Sequence, residues 1–309
     1  MKHMKRLLLA SAVLLAACQA GMPSADTDLA IDAMRTLSDD AMQGRGVGEP
    51  GGKMAVEYLS MQISALKEAP ERQPFTATID YPNEDPFDIN GTNLIARVTG
   101  RTPGEGPELV VTAHFDHLGI RDGELYNGAD DNASGAGALL SIYKSFLEDR
   151  PEHDVMIVWL DGEERRLSGA RHLVTTLTDG RPRVNLNLDM ISQNEAGEIY
   201  MAGTYHTPEF RPLVERAAKG TGLDVRFGHD SPEDGAGDWT LQSDHGVFHA
   251  AGVPFVYYGV EDHAHYHQPT DDFDTIPLDT YRGAVQLSVN TAHRLDEALD
   301  DFARPLSAD

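Results

Sequence analysis

Four short apolar runs, Leu109–Thr112, Val155–Leu160, Val184–Leu188 and Pro254–Val260, alternate along this chain with stretches of helical periodicity. The first two read as strands buried on both faces, and the other two also read as strands. The intervening helical stretches are Ser134–Glu148, Ser168–Leu177 and Pro208–Lys219, and Leu278–Phe302 reads as a long closing helix. Strand, helix, strand in this rhythm builds βαβ units and a sheet with helices on both faces. Upstream, Leu29–Leu37 and Gly51–Lys67 show helical spacing, as in Ala55, Tyr58, Leu59 and Ile63. Thr76–Asp80 and Asn93–Val98 read as strands around a connection rich in Pro and Asp. The expected fold is α/β, a three-layer sandwich around a mixed, largely parallel central sheet. It forms a single domain over residues 28–309, a length ample for one core.

Polar clusters follow the apolar runs. They are His114-Phe115-Asp116, Asp161-Gly162-Glu163-Glu164, Asn187-Leu188-Asp189 and Tyr266-His267-Gln268-Pro269-Thr270-Asp271, with Gly128-Ala129-Asp130-Asp131-Asn132 before a helix. Residues just beyond the carboxyl ends of strands in an open α/β sheet meet at one crevice, where ligands collect. Adjacent carboxylates such as Glu163 and Glu164 repel each other unless a cation or solvent relieves them. One can then hold a cation while its neighbour accepts a proton. Two cations about 3.5–4 Å apart need a bridging carboxylate and further His or carboxylate ligands, and this inventory contains both. Individually the signals are weak. An HxD tripeptide is common, Asp130-Asp131 could cap the helix that follows, and Arg165 and Arg166 could pair with the glutamates. The set carries the reading of a two-metal hydrolase centre. The glycine-rich turn Gln43–Gly48 is no phosphate loop, since no Gly-Lys-Ser/Thr follows it.

The first residues are of another kind. Lys2, Lys5 and Arg6 precede an apolar run from Leu7 to Ala17, too short to span a bilayer and shaped as an export signal. Leu15-Ala16-Ala17-Cys18 resembles a bacterial lipobox, in which the cysteine becomes the lipidated first residue. Gln19 follows it, not the Asp of an inner-membrane retention signal. The expectation is a signal peptide over 1–17, a tether over 18–27, and a lipoprotein anchored at the outer membrane and facing the periplasm. Cys18 is the single cysteine, so no disulfide forms within the chain. Fifty acidic against twenty-five basic residues, a formal charge of −25, exclude a nucleic-acid partner, which needs clustered Lys and Arg. Membrane association is expected through lipidated Cys18 alone.

Taken in order, Ala113–Gly119, Asn127–Gly135, Asn187–Ile191, Ser243-Asp244-His245 and Tyr266–Asp271 resemble the M28 family of zinc aminopeptidases and related exopeptidases. Leu37–Asp40 with Gly44-Arg45-Gly46 resembles the family's start. The resemblance runs from about residue 29 to 300. It implies the zinc-exopeptidase architecture, two Zn²⁺ ions per chain, and a peptide or small amino-acyl substrate. One zinc would be held by His114 and Asp189, a second by Glu164 and His267, with Asp131 as the bridge. Glu163 would be the general base, Asp116 would orient His114, and Asp244 would be a supporting group. A short segment separates Asp80 from Asn93, so the domain inserted in some larger relatives is absent there.

Asp161-Gly162-Glu163-Glu164 resembles instead the glutaminyl cyclase branch, which keeps a single zinc. Gly128–Gly135 and His267–Asp271 keep the peptidase form, which ranks peptidase above cyclase. A non-catalytic binding lipoprotein would have lost a base or a bridge, and neither is missing. Asp230, Glu233, Asp234 and Asp238 crowd a glycine-rich loop but match no EF-hand spacing, so a flexible acidic rim is expected there. Aminopeptidase is preferred to carboxypeptidase or dipeptidase on family weight. The location is testable without any structure. Cys18→Ser should release an active, otherwise unchanged protein from the membrane fraction, because each buried acyl CH₂ adds about 0.8 kcal/mol of anchoring. Wild-type protein found wholly in the soluble fraction, with an unmodified N-terminus, would leave ordinary secretion as the better account.

Overall fold

The computed structural model describes residues 22–104 and 106–307; the expected signal 1–17 and Cys18 lie outside them. Helices α1 (Thr27–Leu37) and α2 (Pro50–Leu66) precede the antiparallel pair β1 (Glu71–Ile79) and β2 (Phe87–Val98). Next come β3 (Glu108–His114), a small hairpin of β4 (Gly119–Arg121) and β5 (Glu124–Tyr126), and α3 (Gly135–Glu148). Then follow β6 (Asp154–Leu160), α4 (Ser168–Thr176), β7 (Arg183–Leu188), β8 (Glu198–Ala202), α5 (Phe210–Ala217) and β9 (Asp224–Phe227). The last elements are α6 (His245–Ala250), β10 (Phe255–Gly259), α7 (Leu278–Glu297) and α8 (Leu299–Phe302).

Eight strands form one sheet in the order β1-β2-β6-β3-β7-β10-β8-β9. The central four, β6, β3, β7 and β10, are mutually parallel, while β2 and β8 run antiparallel against them. The mixed, largely parallel sheet expected from the sequence is therefore present. Alternation along β6 explains why its run carries no polar side: residue i and residue i+1 enter different cores. In β6, Val155, Ile157 and Trp159 join the large core beneath α1, α2, α3, α5 and α7. Met156, Val158 and Leu160 join a smaller core with Ala170 and Leu173 of α4 and Phe248 of α6. These are the three layers.

Strands β8 and β9 went unread in the sequence. Neither is an apolar run: Glu198-Ile199-Tyr200-Met201 and Asp224-Val225-Arg226-Phe227 are short outer strands that alternate buried and polar positions. The closing helix also differs. It breaks at Ala298, whose φ of −118° leaves the helical range, so α7 and α8 are separate.

One buried cation ties the sheet's active edge together. Arg45 is fully buried and donates only to backbone carbonyls: Nε to Phe115 at 2.7 Å, Nη1 to Leu37 and Asn127 at 2.6 and 2.5 Å, and Nη2 to Gly128 at 2.8 Å. The planar guanidinium fork suits several fixed acceptors at once. Burial lowers its pKa to about 10, against the pull of Asp131, Asp271, Asp116 and Glu164. Arg45→Met should leave the carbonyls of Phe115, Leu37 and Asn127 without donors, each costing about 1–3 kcal/mol, while Gly128 keeps the N–H of Ala133. Denaturant unfolding should show a loss of at least about 3 kcal/mol, with Arg45→Lys recovering part of it. An unchanged midpoint for Arg45→Met would mean that water or neighbouring N–H groups satisfy those carbonyls.

Candidate metal centre

Every donor loop leaves the sheet at the same edge. His114 is the last residue of β3, Glu163 and Glu164 lie just past β6, Asp189 follows β7, and His267 lies in the loop after β10. Asp131 arrives from the irregular turn Ala129–Ser134 that leads into α3. The parallel central strands therefore bring together residues more than 150 positions apart.

Two groups of donors form there. His114, Glu163 and Asp189 make one, and His117, Asp131 and Glu164 the other; within each group the donor atoms lie within 4.8 Å of one another. His114 Nε2 is 3.1 Å from Asp189 Oδ1 and 3.5 Å from Asp131 Oδ1. His267 Nε2 is 3.1 Å from Asp131 Oδ2 and 3.5 Å from Glu164 Oε1. The two oxygens of Asp131 thus face different imidazoles. His267 is 38% exposed whereas His114 is 1% exposed, so the centre opens to solvent on the His267 side.

Asp116 stands beside the ring of His114. Nδ1 of His114 makes its nearest contact, 3.1 Å, with the backbone carbonyl of Asp116, and the carboxylate stands 3.6 Å away. Oδ1 of that carboxylate accepts the backbone N–H of Glu163 at 3.0 Å. Asp116 therefore acts on His114 as a nearby charge and fixes the start of the Glu163-Glu164 turn by hydrogen bonding. Asp244 is fully buried with both carboxylate oxygens unpartnered. Burial pushes its pKa up to about 8; His114 opposes this, while Asp189 and Asp116 add to it.

The other carboxyls record the same crowding. Burial raises Glu163 well above the usual carboxyl range; His114 opposes the rise, and Asp189, Glu164 and Asp244 reinforce it. Burial and Glu164 raise Asp131. Glu164 is also desolvated, but its imidazole neighbours His117 and His267 outweigh burial and hold it well below the usual range. His267 is desolvated too, yet Asp131 and Glu164 lift it to about 10. Buried carboxylates facing imidazoles, with Glu164 Oε1 and both nitrogens of His117 lacking any hydrogen-bond partner, suit a cation that accepts N and O donors. Zinc is such a cation. Bonds of about 2.0–2.2 Å put neighbouring ligands of a tetrahedral zinc roughly 3.3 Å apart, and the contacts above bracket that spacing.

Comparison with known proteins gives the family. The model of Peptidase family M28 matches residues 93–292. The chain belongs to peptidase family M28. It is 26% identical over 251 residues to leupeptin-inactivating enzyme 1 of Streptomyces exfoliatus, covering 79% of this chain and 51% of the relative. It is 24% identical over 182 residues to the alkaline phosphatase isozyme conversion protein of Escherichia coli K12, covering 54% and 51%. The chain spans about half the length of the curated relatives it matches. The fold is shared with a zinc aminopeptidase of Bacillus subtilis, at TM-score 0.73 and 16% identity over 94% of this chain and 99% of the other. It is also shared with a glutaminyl cyclase of Bacteroides thetaiotaomicron, at TM-score 0.69 and 19% identity over 88% and 99%. The chain is thus an M28 family member, on a fold found both in a zinc aminopeptidase and in a glutaminyl cyclase.

Several residues of this M28 centre were not singled out in the sequence. His117 is one. Asp130 is another whose work was not read: offered by the sequence as a helix cap, it caps no helix. Its Oδ1 accepts the backbone N–H groups of Ser192 and Gln193 and the Ser192 hydroxyl, and Oδ2 lies 3.0 Å from His263 Nε2. The helix begins later, at Gly135. The acidic loop is likewise not a loose rim. Asp230 is buried and accepts the N–H groups of Gly203 and Tyr205, and Asp234 takes part in a capping box with Ser231. Arg166 stacks over Tyr81 at 4.9 Å, and Arg171 donates to the Arg166 carbonyl. Both line a cleft of about 730 Å³ beside β1 that contains none of the metal-centre donors.

Asp271 is the third such residue. Its carboxylate accepts the N–H groups of Asp130 and Asp131 at 3.0 and 3.1 Å, which aims the Asp131 side chain. Groups that orient ligands in this way are commonly worth 10–100-fold in metal affinity. Asp271→Ala should weaken zinc binding by about that factor in competition with a chromophoric chelator. Wild-type affinity in that variant would show that the turn holds Asp131 without help.

Proposed function

We propose that this M28 protein is a two-zinc exopeptidase, most simply an aminopeptidase, with Glu163 as general base. The observation that carries the reading is the pairing of two donor groups around Asp131, one reaching His114 and Asp189 and the other Glu164 and His267. Zinc, when bound, would supply a Lewis acid that polarises the scissile carbonyl and acidifies water. The five ligands of the resemblance all lie at this edge. Glu163, whose backbone is pinned by Asp116, stands beside the first group with a carboxyl of raised proton affinity. A base works best when its pKa lies near the working pH. Glu163 would take the proton of the attacking water and return it to the departing amine.

The preference for a free N-terminus rests on charge. Glu163 and Asp189 bring acidic groups to the crevice, which suit a substrate ammonium. Arg166 and Arg171, two of the three arginines that follow the glutamate pair in sequence, face the separate cleft beside β1. A carboxypeptidase would need such cations at the metals. We further propose that lipidated Cys18 holds the enzyme at the outer membrane, facing the periplasm.

Chelation should abolish hydrolysis of unblocked peptides, and zinc should restore it, with about two ions bound per chain. Glu163→Gln should lower turnover by roughly 10²–10⁴-fold at unchanged zinc content, whereas Glu164→Gln or Asp131→Asn should lose metal. Normal turnover by Glu163→Gln would remove it as the base. A single tightly bound ion with conversion of N-terminal Gln to its lactam would assign the protein to the cyclase branch.

A further inference from the structure

We propose that His117 is an additional ligand of the second cation position, joining Asp131, Glu164 and His267. The proposal rests on the two-zinc reading above, and it adds a donor that the five-ligand set does not contain.

His117 is almost fully buried, at 1% exposure, and Nδ1 lies 2.9 Å from Glu164 Oε1 and 3.6 Å from Asp131 Oδ2. At 2.9 Å a nitrogen and a carboxylate oxygen would ordinarily share a hydrogen bond. Here they do not: Nδ1, Nε2 and Glu164 Oε1 all lack a hydrogen-bond partner, so the ring does not aim its N–H along that line. Leaving three buried polar atoms unpaired is costly, about 1–3 kcal/mol each. A cation held between imidazole and carboxylate satisfies Nδ1 and Oε1 together, because both then point lone pairs at the ion and not at each other.

Spacing supports the same reading. The contacts of His117 with Glu164 and Asp131, and of His267 with Asp131 and Glu164, measure 2.9, 3.6, 3.1 and 3.5 Å. They bracket the separation of roughly 3.3 Å between neighbouring ligands of one zinc ion. The ring is also wedged in place. A Cβ on Gly128 would come within 2.5 Å of His117 Cγ and Cδ2, and Gly128 itself adopts φ +58°, a conformation that favours glycine. The Asp131 carbonyl lies closer still to that Cβ position, so both the imidazole and the backbone of the bridging residue require glycine at 128. With two imidazoles and two carboxylates, the second position should fill first and empty last as zinc is titrated.

Full-length protein loaded with ¹¹³Cd and labelled with ¹⁵N gives a test that needs no variant. Cadmium–nitrogen couplings should appear on the rings of His114, His267 and His117; couplings on His114 and His267 alone would overturn the proposal. Zinc titration of the metal-free protein provides the second test. His117→Asn should weaken one of the two binding steps by at least about 10–100-fold, and Asp189→Asn should weaken the other. Both steps within twofold of wild type in folded His117→Asn would reduce His117 to a packing residue. Two ions bound without His117 sinks this inference alone; no bound ion at all sinks the two-zinc reading beneath it.

Discussion

The crowding of carboxylates in a dry crevice is the constraint on which the rest of this molecule turns. Asp116, Asp131, Asp161 and Asp244 are buried outright, and Glu163, Glu164 and Asp189 stand among them. Gathering such groups away from water is unfavourable unless protons, cations or N–H donors compensate. The protein uses all three. Asp161 and Asp244 are pushed by burial toward their protonated forms. Asp161, Asp116, Asp130 and Asp271 accept backbone N–H groups. Arg45 lies beneath the cluster as a fixed positive charge. What remains is a deficit of positive charge that divalent ions fit, so metal binding and folding free energy are linked at this edge.

That deficit explains why the surrounding backbone is so firmly held. Arg45 gathers the carbonyls of the segment after β3 and of the turn before α3. Asp271 holds that turn from the opposite side, and Asp130 joins it to the segment after β7. Mutually repelling side chains separate whenever their backbones can move. Hydrogen bonds to the main chain, not contacts among the repelling groups, keep them at ligand spacing. The same logic separates the two members of the Asp130-Asp131 pair: one braces loops, and the other faces the imidazoles.

Much of this was legible in the chain. Buried parallel strands announce themselves where both faces are apolar, so β3, β6 and β10 stand out as runs, while β7 alternates apolar residues with the buried Asn185 and Asn187, and the polar residues that end these strands mark the crevice. The outer strands β8 and β9 left no such mark, because a half-exposed strand of four or five residues looks like a loop. His117 was hidden for a different reason. Its place beside Glu164 depends on how the chain turns after His114, which spacing along the sequence does not encode. Asp271 and Arg45 were visible as parts of motifs, but their work is done on backbone atoms, and sequence gives no view of which carbonyls or N–H groups lie within reach.

The strand order carries a further meaning for how such proteins diversify. All four donor-bearing strands lie at the middle of the sheet, each flanked on both sides, while β1 with β2 and β8 with β9 form the margins. New segments grafted at a margin, or into the connections that serve it, leave the central hydrogen-bond ladder untouched. A lineage can therefore lengthen, shorten or decorate the periphery while the reactive middle is inherited intact. This chain keeps that middle in full.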